Sequence, residues 1–345
     1  MGSVQIGEGR DAGGILGWFD HQSTSRFVYA EAAGYYLSFL EFVRRGSFPH
    51  AHAEMPLLSS RAGSTAQWIS RRWLAHPLTR TYLDEQHTRD WRNSFAFSFD
   101  QAMMLRGVSV SAALVDEEAL RPLASELCGR LSAFIGDGGL LLPCLAAGSH
   151  PIPQHWSTRQ GPYQVKAAAA ALSSGALLPA PLRASSRKTF DHWASFNPEV
   201  IVTAELHPLL YFVEGLLLGE SEAGGGGLAA HPRSVLERIL WHLLETPELE
   251  QVRSDVIAQT LRLGCLFAGS DASFRREYAP ALRKLAQALV QLIGADGAVY
   301  FRRNRTGQLE HANVWCGIFT AQALWCYSWL LRDVPFPSAA LDWLA

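Results

Sequence analysis

Acidic and histidine side chains that interrupt apolar helical segments are the residues of this sequence best suited to chemistry. The five that we predict to be catalytic are Asp100, His207, Glu214, Asp255 and His311. A charged group buried without a partner is costly, so each of them needs a counter-charge or a polar pocket. Two carboxyl groups in one pocket can hydrolyse a glycosidic bond, one as the acid and the other as base or nucleophile. Two histidines can instead exchange a proton next to a carbonyl group.

Other polar and aromatic residues occur near the same helix starts and are candidates for binding a substrate. Cationic groups suit an anionic sugar or the charge of a transition state, and aromatic rings offer flat apolar faces. The predicted substrate-binding residues are Glu31, Tyr163, Gln164, Lys166, Tyr211, Arg253, Gln259, Arg262, Asn313 and Trp315. We expect Asp100 and Glu214 to form the catalytic pair, with Asp255 or Glu31 as substitutes. Structural duties compete with these roles, because carboxylates such as Asp255 also favour helix starts.

The elements that must position these residues are long segments of helical periodicity, separated by loops rich in Gly and Pro. Six segments are apolar nearly all round and are predicted to be buried: 24–45, 95–115, 162–178, 203–219, 253–268 and 311–331. The segments between them are amphipathic: 61–75, 117–135, 180–196, 231–246 and 278–293, followed by a short piece at 337–344. Prolines at the first helical turn and left-handed C-cap glycines mark several boundaries: Pro181, Pro232, Pro280, Gly46, Gly219 and Gly269.

A weak internal repeat supports this alternation. Residues 134–142 read FIGDGGLLL and residues 292–300 read LIGADGAVY. Each stretch follows an amphipathic segment, turns on Asp-Gly and leads toward the next apolar segment. A repeated helical unit argues for a closed or stacked helical array.

These patterns predict an all-α fold, an (α/α)6 toroid of six helical hairpins with short β-hairpins or extended segments in the rim loops. An open helical solenoid is the alternative. We expect one domain over residues 1–345, with 1–20 flexible or loosely packed, and a central pocket that the polar starts of the buried helices share.

Composition excludes several classes of protein. The net charge is −2, which does not suit a nucleic-acid binder. Five cysteines without a CxxC pair argue against a disulfide framework and a zinc site. No phosphate-binding glycine motif follows a strand. We predict no cofactor and no metal. No signal peptide and no uninterrupted membrane-length apolar run are evident, so we predict a soluble, cytoplasmic protein that binds no membrane.

Two segments resemble elements of known sugar enzymes. Residues 99–104, FDQAMM, are similar to an inner-helix element of unsaturated glucuronyl hydrolases. Residues 207–214, HPLLYFVE, are similar to a fourth-helix element of N-acylglucosamine 2-epimerases, with Tyr211 at the position of the epimerase His. The third inner segment, 162–166, lacks the Asp of the hydrolases. The chain thus resembles the six-hairpin glycosidase-like superfamily.

This resemblance implies a carbohydrate-active enzyme. The leading hypothesis is a glycoside hydrolase that acts on a small or oligomeric sugar of the uronic-acid or amino-sugar type. The first alternative is a sugar epimerase, isomerase or polysaccharide lyase that moves a proton through His207 and His311. The second is a non-catalytic helical-array protein, which predicts a broad groove in place of an enclosed pocket.

Overall fold

The computed structural model of the protein describes residues 4–19, 28–46, 48, 53–75, 91–148, 151–222 and 230–344. Within these ranges the chain forms eleven α-helices and four short strands. It divides into two compact units: one holds Met1–Gly17 and Ser25–Ser195, and the other holds Trp18–Thr24 and Phe196–Leu344. The single domain remains a prediction.

The first unit contains six helices, and three of them are almost wholly buried. Their bounds are α1 Ala30–Arg45, α2 Met55–Trp68, α3 Ser98–Val110, α4 Glu117–Ser132, α5 Gln164–Leu172 and α6 Ala180–Ala194. Helix α3 packs against α1, α4 and α5, and α5 packs against α6. Every residue of α5 is buried, whereas α4 and α6 bury one face. This is the alternation that the sequence predicts.

The second unit contains five helices: α7 Leu206–Glu222, α8 Ala230–Leu244, α9 Ser254–Ser270, α10 Ala272–Gln291 and α11 Val314–Leu331. Helix α9 lies against α7, α8, α10 and α11 and is buried from Ser254 to Ala268. Among the described residues, α11 alone is long and apolar enough to cross a membrane by length and composition. It is mostly buried within the protein, as a core helix of the same composition would be.

Four strands form two small antiparallel pairs. β1 (Trp18–Phe19) pairs with β4 (Ala312–Asn313), and β2 (Phe95–Phe97) pairs with β3 (Cys144–Ala146). β2 runs directly into α3 and β4 runs directly into α11. These extended segments therefore fix where two buried helices begin.

The internal repeat of the sequence is a structural repeat. Isolated bridges join Ile135 to Leu141 in one turn and Ile293 to Val299 in the other. The equivalent glycines, Gly139 and Gly297, have φ angles of 72° and 76°. Only glycine adopts such angles without a steric penalty, which explains why the turn signals recur at this place.

Each turn also holds the first residue of an earlier buried helix. The carbonyl oxygen of Pro143, just after the first turn, accepts a hydrogen bond of 3.0 Å from the backbone N–H of Ser98. The carbonyl oxygen of Phe301, just after the second, accepts one of 2.7 Å from the N–H of Ser254. The starts of α3 and α9 are thus anchored in the same way.

Helices α1 and α3 cross with their backbones in contact. A Cβ atom added to Gly34 would lie 2.4 Å from the carbonyl oxygen of Met103, and one added to Gly107 would lie 2.3 Å from the carbonyl oxygen of Gly34. No side chain fits at either position. This crossing holds the first turns of the two helices in a fixed relation.

Several predicted boundaries are wrong. Helix α10 begins at Ala272, not 278, because the carboxylate of Asp271 accepts hydrogen bonds from the N–H groups of Ser273 and Phe274. Pro280 consequently lies inside the helix and not in its first turn. Helix α2 begins at Met55, not 61, with a proline in its first turn.

The predicted left-handed C-caps are also wrong. Gly46 has a φ angle of −72°, and its N–H bonds to the carbonyl oxygen of Phe42. Gly219 and Gly269 lie inside α7 and α9, which extend beyond them.

The N-terminal segment is better packed than the sequence suggests. Ile15 and Leu16 are buried. The side-chain amide of Gln5 donates hydrogen bonds of 2.9 Å to the carbonyl oxygen of Arg61 and to the hydroxyl of Thr65. Residues 4–17 are therefore a packed part of the first unit, whereas Trp18 and Phe19 pair with β4 in the second.

Candidate active site

Two carboxyl groups and one amine meet within the first unit. Glu31, Asp100 and Lys166 lie in the first turns of α1, α3 and α5, and they are 7%, 6% and 0% exposed. Burial and the neighbouring charge of Asp100 raise the pKa of Glu31 well above its ordinary value, against the opposing effect of Lys166. The site therefore combines a carboxyl group of raised pKa with a second carboxyl group beside it.

An arginine from the segment before β2 adds positive charge to this site. Arg92 lies in a short 3-10 turn, Trp91–Ser94, and interacts with both Tyr29 and Asp100. Burial lowers the pKa of its guanidinium group, and the two neighbours oppose that shift. Sequence reasoning missed Arg92 because it lies outside the helical segments; its one signal is its place just before the aromatic strand that enters α3.

Tyr163 lies beside the same group of charged residues. Burial, followed by the nearby Cys144 and Asp100, raises the pKa of its phenol, so the hydroxyl stays protonated. That hydroxyl donates to backbone carbonyl oxygens of Ser157 at 3.2 Å and Arg159 at 3.1 Å. The ring is thereby held in place near Asp100.

Two other predicted binding residues of this unit have defined contacts. The ammonium group of Lys166 lies 5.0 Å from the centre of the Tyr35 ring, within cation–π range. The amide of Gln164 accepts a hydrogen bond from the N–H of Gly161 and donates one to the carbonyl oxygen of Leu141. Because the backbone uses both ends of this amide, Gln164 positions the start of α5.

The second unit holds a separate group around His207. The Nδ1 atom of His207 lies 3.2 Å from the Oε1 atom of Gln259 and 3.7 Å from the Oδ2 atom of Asp255. Its ring centre is 4.3 Å from that of Tyr211. Asp255 also binds Arg253 through two hydrogen bonds, at 3.0 and 2.6 Å. These contacts join α7 to the first turn of α9.

The charge of Asp255 is well compensated. Burial on its own would raise the pKa of this carboxyl, but Arg253, His207 and the N–H of Val256 together lower it below its ordinary value. Asp255 is therefore ionised and suited to orient the imidazole of His207.

His311 belongs to the same neighbourhood through an aromatic contact. Its ring stacks on Phe301, with centres 4.9 Å apart and planes inclined by 17°. The guanidinium group of Arg253 lies 5.1 Å from the centre of the same Phe301 ring. Asn313 caps α11, because its side-chain oxygen accepts from the N–H of Cys316. Trp315, in the first turn of α11, is buried.

Glu214 and Arg262 form a separate pair deeper in α7 and α9. The two side chains are 0% and 2% exposed and make an ion pair, and Arg262 also donates to Gln322 on α11. Removing one partner of such a pair leaves an uncompensated buried charge. The pair fits a structural role better than that of a catalytic acid.

The structure thus groups the predicted residues into three sets, one in the first unit and two in the second. Their catalytic and binding roles remain predictions. Among the described residues, no group of three His, Cys, Asp or Glu side chains could hold a metal ion.

No protein-family model and no curated protein matches this sequence. Solved structures do match. One is an unsaturated glucuronyl hydrolase specific for heparin, with 9% identity and a TM-score of 0.63, over 94% of this chain and 93% of its own. Another is cellobiose 2-epimerase from Bacillus thermoamylovorans B4167, with 10% identity and a TM-score of 0.64, over 96% of this chain and 95% of its own. A third is a D-mannose isomerase, with 12% identity and a TM-score of 0.63, over 93% and 92%.

The chain shares its fold with these solved structures. The predicted all-α (α/α)6 toroid is confirmed by these likenesses, which extend over nearly the whole length of each chain. At such low identity the likeness concerns the fold alone, because one fold hosts many activities.

Proposed function

We propose that the protein is a carbohydrate-active enzyme, a glycoside hydrolase that acts on a small or oligomeric sugar. The observation that carries the proposal is the pairing of Glu31, whose pKa is raised by burial and by Asp100, with Asp100 itself. Glycoside hydrolysis requires one carboxyl group that can give a proton and a second carboxyl group near it. The sugar-processing enzymes that share the fold support the same class of substrate.

In this mechanism Glu31 is the general acid. It gives its proton to the glycosidic oxygen as the bond to the anomeric carbon breaks. Asp100, as the carboxylate, either removes a proton from the attacking water or attacks the anomeric carbon itself. Arg92 and Lys166 supply positive charge beside the two carboxyl groups.

This pairing changes the role of one predicted residue. The sequence favours Asp100 with Glu214 and keeps Glu31 as a substitute, but Glu214 is paired with Arg262 away from solvent. A guanidinium partner favours the charged form of a carboxyl group, which does not suit a general acid. We therefore propose Glu31 in its place.

The test compares Glu31→Gln and Asp100→Asn with the wild type on cellobiose, chitobiose and an unsaturated hyaluronan disaccharide. We expect each variant to lose at least about 100-fold in the rate of hydrolysis, since acid–base catalysis contributes that much or more. Glu199→Gln, which changes an exposed residue, is the control and should keep full activity. Full activity in both variants, or no hydrolysis of any of these sugars by the wild type, would contradict the proposal.

A sugar epimerase or isomerase is the second candidate, and one observation favours it. His207 is held by Gln259 and by the ionised Asp255, an arrangement suited to proton transfer. The same reactions run in D₂O distinguish the two. Deuterium incorporated into an uncleaved sugar, and lost in His207→Asn, would support the epimerase, whereas cleavage that depends on Glu31 supports the hydrolase.

A further inference from the structure

A cleft lined by arginines lies on the hairpin that follows α10. Its volume is about 530 Å³, and its lining residues are Gln251, Arg302, Arg303, Asn304, Arg305, Thr306 and Glu310. The hairpin is held by a bridge between Arg303 and Leu309. Its tip is a tight turn in which the side-chain oxygen of Asn304 accepts from the N–H groups of Thr306 and Gln308. The cleft therefore has ordered walls.

The three arginines differ in how much of their hydrogen-bonding capacity is used. Arg302 binds Glu310 through its Nε atom at 2.9 Å. Arg303 donates to the carbonyl oxygens of Gly307 and Gln291. Arg305 makes no hydrogen bond or ion pair with any residue that the structure describes. A guanidinium group has five N–H donors, so all three retain donors for a ligand.

The charge of the cleft is positive, with three arginines against the single carboxylate of Glu310. Guanidinium groups bind carboxylate, sulfate and phosphate oxygens in a bidentate manner. The remaining lining groups are the amides of Gln251 and Asn304 and the hydroxyl of Thr306, which suit hydroxyl groups. The volume lies in the usual range for a small-molecule site.

We propose that this arginine cleft binds an acidic saccharide and that Arg305, with Arg302 and Arg303, holds its carboxylate or sulfate group. The cleft contains no aromatic side chain among its lining residues, so it lacks the stacking surface on which single-stranded nucleic acids depend. The inference goes beyond the proposed function, because the cleft uses none of Glu31, Asp100 and Lys166.

Calorimetric titration of the full chain tests this site without any need for turnover. The ligands are a heparin tetrasaccharide, a hyaluronan tetrasaccharide, maltotetraose and a single-stranded tetranucleotide. We expect the acidic saccharides to bind at least about tenfold more tightly than maltotetraose. Their affinity should fall as the ionic strength rises. Binding of heparin alone identifies sulfate as the recognised group, whereas binding of both identifies carboxylate as sufficient.

The matched variants are Arg305→Gln in the cleft and Arg283→Gln on α10, which is exposed and outside it. Both remove one positive charge. We expect Arg305→Gln to weaken acidic saccharides about tenfold, the value of one charge-assisted hydrogen bond, and Arg283→Gln to change affinity less than about twofold. The proposal is overturned by equal losses in both variants, by equal affinity for maltotetraose or the tetranucleotide, or by no binding. Hydrolysis that depends on Glu31 and Asp100 would be unaffected by any of these outcomes.

Discussion

Glu31 and Asp255 are both buried carboxyl groups in the first turn of a helix, yet their pKa values move in opposite directions. Burial dominates for Glu31, and the nearby Asp100 adds to the rise. For Asp255, the bidentate Arg253 and the neighbouring His207 outweigh burial. Whether a carboxyl group acts as an acid or as a permanent charge is thus decided by its partners and not by its position in the helix.

The raised pKa of Glu31 has a consequence for stability that can be measured. An unfolded glutamate titrates near pH 4.3. Between that value and the higher native pKa, the native state binds more protons than the unfolded state, so stability falls as pH rises. The contribution is fully present below the unfolded pKa and is lost as pH rises through the native one.

We expect Glu31→Gln to remove this dependence, because an amide does not titrate. The free energy of unfolding of the variant, relative to the wild type, should increase as pH rises from about 4 to 8. Urea unfolding at several pH values measures it. Glu199→Gln should show no such trend, and a trend of the opposite sign for Glu31→Gln would refute the assigned direction of the pKa.

At this scale the sequence indicates which polar residues enter the buried helices, and it says less about how they pair. Glu31, Asp100 and Lys166 were identified because polar groups within apolar helices need a reason to be there. The partner of Glu214 was not identifiable, because it depends on the rotation of α7 and α9 about their axes. Arg92 was missed because nothing in a loop sequence specifies where its side chain lies.

At the scale of elements, the helices that carry Glu31 and Asp100 are α1 and α3, and they cross at close range. Gly34 lies one turn after Glu31, and the carbonyl oxygen of Met103, one turn after Asp100, fills the space where a Cβ atom would be. The two helices can approach this closely only because neither has a side chain at the crossing. Gly34 and Gly107 therefore permit the close crossing of the two helices that carry Glu31 and Asp100.

We expect Gly34→Ala to destabilise the protein by about 2 kcal/mol or more, since the added methyl group meets backbone atoms that cannot rotate away. Chemical denaturation measures this loss. Gly63→Ala in α2 is the control: nothing lies within 4 Å of its added Cβ atom, so the better helix propensity of alanine should make it neutral or stabilising. Equal stability of Gly34→Ala and the wild type would show that the helices can separate at no cost.

The order and character of the helices were predictable from periodicity, and their ends were not. The spacing of apolar residues shows whether a segment is apolar all round or on one face only. It therefore predicts which segments are buried and which are amphipathic. The start of α10 depends on a cap at Asp271, which a reading based on Pro280 placed two turns too late. Several residues near a helix end can form the capping hydrogen bond. Which of them forms it, and so where the helix begins, depends on the neighbouring chain.

At the scale of the whole molecule, the internal repeat occurs once in each of the two units. The turns at 134–142 and 292–300 have equivalent bridges and equivalent glycines. In the second turn the left-handed residue is the glycine of Asp296-Gly297, whereas in the first turn it is Gly139, one residue after Asp137-Gly138. The toroid followed from the count of helix pairs and is confirmed by its likeness to solved structures. A pocket lined by specific residues could not be derived in that way.

The equivalence of the two turns predicts equal costs for the same substitution. Gly139→Ala and Gly297→Ala should each destabilise by about 1 kcal/mol, because an L-residue is strained at these φ angles. Neither added Cβ atom meets an atom closer than 3.6 Å, so packing does not contribute. Thermal or urea unfolding gives the values, with Gly129→Ala in α4 as the helical control. Costs that differ by more than about twofold would argue against equivalent turns.

The hydrogen bonds from Ser98 to Pro143 and from Ser254 to Phe301 have a bearing on the order of folding. In both cases the first residue of a buried helix donates to a carbonyl group that the ribosome adds only after the next helix is complete. Bringing the two ends of such a long stretch of chain together costs conformational entropy before the hydrogen bond can form. The first turn of α9, with Arg253 and Asp255 beside it, thus acquires its anchor only when the chain has reached Phe301. The backbone anchor of this helix start therefore comes from a segment beyond the following helix.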